Sequence, residues 1–337
     1  MAYFNEFSEF LYQNSYPDVS ASVNTPRGFV SGLQHFSLYG VYEGRTSASP
    51  FFNEQAYLTL YPDVRNAVAS GVFKSGLEHF TFNGAQEGRY SPIGTFDSEQ
   101  VYLKKYPDVA AAVKQGLFYS GYDHYLKYGQ FEGRVPGWFN EQAYLVRNPD
   151  VAAAVGVANP TNGVVTFNSG FEHYLLFGQY ENRFQIFSGT SGNDIVNSFG
   201  ANGTNLTGVD YVALSANPVD YTLGSTTFQV DTLIGSPVSD RYLLGFGRSP
   251  SNPNPRPLYV GGGNADYALI RNFTKGSDLI QLAGSLTDYN QVVSGNNLNI
   301  STKNGNDLVA IVEGVTSPLS LAGANAVNTA TGTFVIT

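Results

Sequence analysis

The feature that most constrains this chain is an internal repeat, and repeats decide architecture before any local reading does. Pro-Asp-Val recurs at Pro17-Asp18-Val19, Pro62-Asp63-Val64, Pro107-Asp108-Val109 and Pro149-Asp150-Val151, so the aspartates stand 45, 45 and 42 residues apart. Each copy continues with Ser-Gly and a His. A Gly follows the His by five residues, a Glu by eight and an Arg by ten. Four copies fill the chain to about Phe184. A unit of this kind cannot bury its apolar face alone, so the copies must stack or close on one another. The sequence does not decide between an open solenoid and a closed bundle.

Local signals divide each copy into three short helices. The first follows Asn53 in copy two and Asn140 in copy four, and asparagine is a strong N-cap. The second starts at the proline, which suits the first helical position. Asn148 is read as the N-cap before Pro149. Ala110-Ala111-Ala112 and Ala152-Ala153-Ala154 favour helix there, and Gly116 suits a left-handed end. The third opens with a capping box in every copy: Ser31 with Gln34, Ser75 with Glu78, Ser120 with Asp123 and Ser169 with Glu172. Gly40, Gly84, Gly129 and Gly178 are expected at its C-terminal end.

The chain's four histidines, His35, His79, His124 and His173, hold equivalent places, as do Arg45, Arg89, Arg134 and Arg183. A metal or sugar site is one reading. A zinc site needs three or four close ligands, and each copy offers one histidine, so the favoured reading is structural: each His orders the Glu-Gly-Arg turn of its own copy. Asp18, Asp63, Asp108 and Asp150 belong to the same repeat motif. Tyr16, Tyr61 and Tyr106 are sugar-stacking candidates, but core aromatics by preference, since copy four has Asn148 there.

From about Ile186 the helical caps give way to short apolar alternations punctuated by Gly, Asn, Asp, Thr and Ser, which read as strands and turns. Strands are expected over residues 210–214, 266–270, 278–282, 297–301 and 308–312. One stretch carries metal chemistry. Gly189-Thr190-Ser191-Gly192-Asn193-Asp194-Ile195 fits the calcium-binding nonapeptide G-G-x-G-x-D-x-U-x apart from Thr190. The stretches ending in Asp240 and Asp266 are weaker echoes. Gly189, Gly192, Asp194, Asp240 and Asp266 are therefore the candidate metal residues, with ordinary Gly-Asp turns as the alternative. The fold class expected is α + β in two domains. Residues 1–186 form an all-α domain of four ~45-residue three-helix units. Residues 187–337 form an all-β domain: a β-roll remnant, β-solenoid or sandwich.

Composition narrows the function. Only 13% of the 337 residues are charged, against roughly a quarter in an average domain. The surface is therefore covered by uncharged polar and aromatic groups. A net charge of −9 argues against nucleic acid. The absence of cysteine excludes disulfides and thiolate chemistry. No apolar run is long enough to span a membrane, and Met1-Ala2-Tyr3-Phe4 does not begin a secretory signal peptide. After Glu313 the chain carries no charge up to Thr337, which reads as a last strand or as an uncleaved C-terminal secretion signal. No G-x-S-x-G, H-E-x-x-H or phosphate loop is present, so an enzyme is not expected.

With these motifs in view, the sequence resembles bacterial, especially cyanobacterial, secreted proteins with hemolysin-type (RTX) calcium-binding features. The helical resemblance lies in Tyr102-Leu103-Lys104-Lys105-Tyr106-Pro107-Asp108-Val109 with Gly129-Gln130-Phe131-Glu132-Gly133-Arg134. The β resemblance lies in residues 266–273, 278–282 and 311–315. It implies calcium as cofactor, type I secretion and residence outside the cell or on its surface. The chain departs from the family in lacking a tandem nonapeptide array. The leading expectation is a structural protein that associates with itself, as an S-layer, sheath or filament subunit. A calcium-dependent adhesin or glycan-binding module, with extracellular polysaccharide as partner, is the alternative.

Overall fold

A computed structural model of the chain describes residues 7–91, 98–161, 163–224, 228–305 and 307–337; Met1 to Glu6 lie outside them. The fold mixes helices and sheets. Its contacts gather into two compact units, Met1–Gly137 with Asp150–Gly178, and Trp138–Pro149 with Gln179–Thr337. This division differs from one at residue 186 by placing the helix Glu141–Arg147 with the strands.

In the first unit the expected starts are met. Helices Pro17–Ser20, Pro62–Ala69 and Pro107–Lys114 begin at their prolines. The side chains of Ser8 and Asn53 cap the first helices of copies one and two. Gly116 is left-handed, at φ +75°. Each expected capping serine accepts the N–H three residues on, at 2.9–3.1 Å. The reciprocal side chains reach one residue further back than a standard box: Gln34, Glu78, Asp123 and Glu172 accept from Val30, Lys74, Tyr119 and Asn168.

The third helix differs from expectation. Its α-helical part is one turn, such as Gly32–His35, and it widens into a five-residue π segment, Phe36–Gly40. The same change occurs at Phe80–Gly84, Tyr125–Gly129 and Tyr174–Gly178. The recurring glycines Gly40, Gly84, Gly129 and Gly178 therefore lie inside a π turn and do not end an α-helix. Left-handed backbone falls instead at Gly44, Gly88 and Gly133 in the Glu-Gly-Arg turns.

The repeats close on themselves. Phe51, Tyr122, Tyr125 and Phe171 are at most 2% exposed and come from copies two, three and four. Phe51 meets Tyr125 edge-on at 5.4 Å and stacks with Phe171 at 6.4 Å. Phe10 of the first copy meets Phe177 of the fourth at 5.5 Å, so the four units form a closed bundle.

In the second unit the chain alternates between two six-stranded sheets. Phe187–Ser188, Asn205–Thr207, Arg241–Leu243 and Leu279–Ala283 run parallel in one. Ile195–Asn197, Val230–Ile234, Tyr267–Arg271 and Leu308–Glu313 run parallel in the other. Each strand thus pairs with the strand one full winding away. Antiparallel strands extend both sheets at one side: Thr333–Ile336 and Val327–Asn328 in the first, Asn297–Thr302 and Tyr289–Ser294 in the second. Leu206, Leu233, Tyr242, Ile270, Ile280, Leu282 and Val312 are wholly buried in its core, and burial of such side chains stabilises the unit. No helix among the described residues is long and apolar enough to cross a membrane.

Candidate functional site

The repeat residues build the same structural constellation in each of the first three copies. Tyr12, Tyr57 and Tyr102 of the first helices meet Nδ1 of His35, His79 and His124 at 2.9–3.0 Å. Phe29, Phe73 and Phe118 cover the same imidazoles edge-on at 4.8–5.0 Å. Burial, first of all, lowers the pKa of each histidine, so the rings are neutral at neutral pH. The tyrosine hydroxyl also explains the glycine that ends the π segment in these copies. It rests on the glycine five residues after the histidine, where a Cβ at Gly40, Gly84 or Gly129 would collide with it.

The arginines hold the second helix to the turn. Arg45, Arg89 and Arg134 pair with Asp18, Asp63 and Asp108 at 2.7–2.8 Å and with Glu43, Glu87 and Glu132 at 2.6–2.8 Å. Each guanidinium lies over Tyr16, Tyr61 or Tyr106, at 4.8–4.9 Å from the ring centroid, so those rings are not open sugar platforms. The aspartate side chains are more than 60% exposed, and pairs of this kind fix geometry more than they add stability. In the fourth copy, buried His173 touches Phe167 and Phe177, Asp150 lies in the first turn of Pro149–Ala154, and Arg183 pairs with Glu181. Asn148 stands directly before the helix Pro149–Ala154, and its amide N–H group donates to the carbonyls of Tyr144 and Phe184.

Sequence reasoning missed one member of the constellation. Glu9, Glu54 and Glu99 accept backbone N–H groups at the start of the third helix, Gly76 and Leu77 in the case of Glu54. The pairs Gly32 with Leu33 and Gly121 with Tyr122 bind Glu9 and Glu99 alike. The signal was present as Asn-Glu-Gln-Ala-Tyr-Leu, but the acid served a neighbouring helix as well as its own.

The candidate calcium residues separate into two kinds. Asp194 is 3% exposed. Its carboxylate accepts the N–H and hydroxyl of Thr190, and its own N–H donates to Asp231. Asp240 accepts the N–H and hydroxyl of both Thr204 and Ser236, and its N–H donates to Asp278. These aspartates tie one winding to the next, and Asp240 has no lone pair to spare. Gly189 is required by the close approach of the Gly208 carbonyl, while a Cβ at Gly192 would meet open space.

Asp266 is the other kind. It is fully buried, yet no hydrogen bond of ordinary geometry reaches either carboxylate oxygen. Burial raises its pKa first and the negative charge of Asp307 next; nearby N–H groups of Phe228 and Gly262 oppose the rise. Within the glycine run 261–263, Gly262 packs against this carboxylate, and a Cβ there would strike it. Asp307 accepts the Gly261 N–H. Calcium takes six to eight oxygens, often including backbone carbonyls. An unsatisfied carboxylate, a second acid and a glycine loop fit that need; Asp240 does not. Among the described residues no three His, Asp or Glu gather into a metal cluster, so two carboxylates at most would serve. No protein-family model matches the chain, and no curated protein matches it in sequence.

Proposed function

We propose that this chain is a non-catalytic, calcium-stabilised structural protein, exported by type I secretion, that associates with its own copies outside the cell. The architecture proposed with it is a helical repeat domain followed by a wound β domain. The observation that carries the reading is the fate of the recurring side chains. The repeated Tyr, His, Arg, Asp and Glu engage one another or the backbone, which leaves no repeated set for chemistry. What the repeats do expose is aromatic. Tyr39 and Tyr42 in the first copy, and Tyr128 and Phe131 at the equivalent places in the third, are 50–64% exposed. Exposed apolar surface of this kind marks contact sites, and the scarcity of charge leaves little to desolvate on association. Calcium is assigned to Asp266 and Asp307.

Negative-stain microscopy and light scattering in millimolar calcium, then in chelator, test the reading. Ordered sheets or filaments in calcium that fall apart in chelator are expected, and Tyr128→Ser with Phe131→Ser is expected to abolish them. Asp266→Asn should remove the calcium-dependent rise in melting temperature. Monodisperse particles under both conditions exclude self-assembly.

A further inference from the structure

The second unit holds a cavity of about 490 Å³ that none of the assignments above uses. Its floor is the outward face of the first sheet. Asn205 and Arg241 lie in register on neighbouring strands, and Gln281 comes from the next. Its walls bring in Arg147 and Arg248, with no carboxylate among the lining residues; Arg183 also lines it but is already paired with Glu181. In a chain of net charge −9 this is a local reversal of sign, and a concave wall concentrates it.

Two of these cations are placed as a ligand would need them. Arg241 is half-buried with no acidic partner among the described residues, and burial lowers its pKa. Arg147 lies 4.1 Å above the Phe184 ring and reaches the Tyr211 hydroxyl, contacts that fix it without neutralising it. An unpaired, partly desolvated guanidinium is costly unless an anion completes it. The cavity is too large for one small ion and lies within the range of organic ligand sites. Asn205 and Gln281 donate their amide N–H groups to Gln185 and Gly245, which leaves amide oxygens as acceptors for hydroxyls. Ring faces are not offered. Tyr211, Tyr221 and Phe246 are at most 6% exposed and stack on one another, and Arg147 covers Phe184. That disfavours a nucleotide, whose base wants a flat partner.

We propose that this cavity binds an acidic sugar, a carboxylated or sulfated saccharide unit, with Arg147, Arg241 and Arg248 holding the anionic group and Asn205 and Gln281 its hydroxyls. The site does not depend on self-association of the helical repeats, and it makes the extracellular partner an anionic polysaccharide.

Calorimetry on the full chain tests this, in chelator so that calcium bridging cannot mimic recognition. The probes are digalacturonate, its methyl ester, a sulfated disaccharide and AMP. One or both acidic disaccharides should bind at one site per chain, and the ester at least tenfold more weakly. Arg241→Gln and Arg248→Gln should each weaken binding by roughly 10- to 100-fold, as loss of a charge-assisted hydrogen bond does. Arg248 is exposed, so its variant reads out even if Arg241→Gln fails to fold. Equal binding of acid and ester, indifference to the Arg248 change, tighter binding of AMP than of either sugar, or no binding by either acidic sugar overturns the proposal.

Discussion

At the scale of single residues, the buried histidines make stability pH-dependent. An unfolded histidine protonates near 6.5, whereas burial keeps His35, His79 and His124 neutral to lower pH. As pH falls below about 6.5 the unfolded chain binds protons that the folded chain refuses, so stability is lost. Glu172 acts in the opposite sense. Burial raises its pKa from 4.5 to about 7. Between those values the folded state holds a proton that the unfolded state has released, so its contribution grows as pH falls. Asp231, raised by burial to about 7, acts in the same sense as Glu172. Urea midpoints followed by circular dichroism from pH 7.5 to 5.5 should therefore shift downward with falling pH in Glu172→Gln relative to the native chain, and upward in His79→Gln. A slope unmoved by either change would contradict the assignment.

At the scale of elements, both units use acids as long-range caps. A one-turn helix cannot sustain itself, because nucleation is costly and its first N–H groups lack partners. Glu54 supplies those partners to Gly76 and Leu77 from another helix. Glu54→Gln keeps the shape but removes the charge and one acceptor. It should destabilise the helical unit by about 1–2 kcal/mol, read as a lower urea midpoint, while Gln55→Glu nearby should leave it unchanged. In the sheets the leading acids start strands one residue late. Residues 266–270 and 278–282 were expected to be strands, and pairing begins at Tyr267 and Leu279. The leading Asp278 turns its carboxylate to the N–H groups of Thr274 and Asp240, and Asp266 turns into the glycine loop.

At the scale of the molecule, closure of the helical repeats brings the first copy against the last. Phe177→Ala removes the partner of Phe10 and should cost about 2 kcal/mol. Hydrogen exchange should then quicken across the helices Glu9–Ser15 and Pro17–Ser20. Leu38→Ala, at a side chain 55% exposed, serves as the control that should change neither. Unaltered exchange in the Phe177 variant would mean that the first copy is held by its own contacts.

By itself the sequence determined what depends on contacts a few residues apart. The proline starts, the serine caps and the left-handed Gly116 follow from steric limits and local hydrogen bonds, and they stand where the sequence put them. The repeat also determined that one copy's arrangement would recur in the others. Only the tertiary structure decided which side chains met. Tyr57 finds His79 and Glu54 finds Gly76 across more than twenty residues of chain, and nothing local names those partners. The nonapeptide-like stretch marked Asp194 as strongly as any residue, yet the next winding supplies Asp231 to its N–H and Thr190 occupies its carboxylate. Asp266, in the weaker echo, is the one left unsatisfied. Arg147, Arg241 and Arg248 of the cavity are scattered along the sequence without a motif, because a shared wall is a property of how strands wind and not of spacing along the chain.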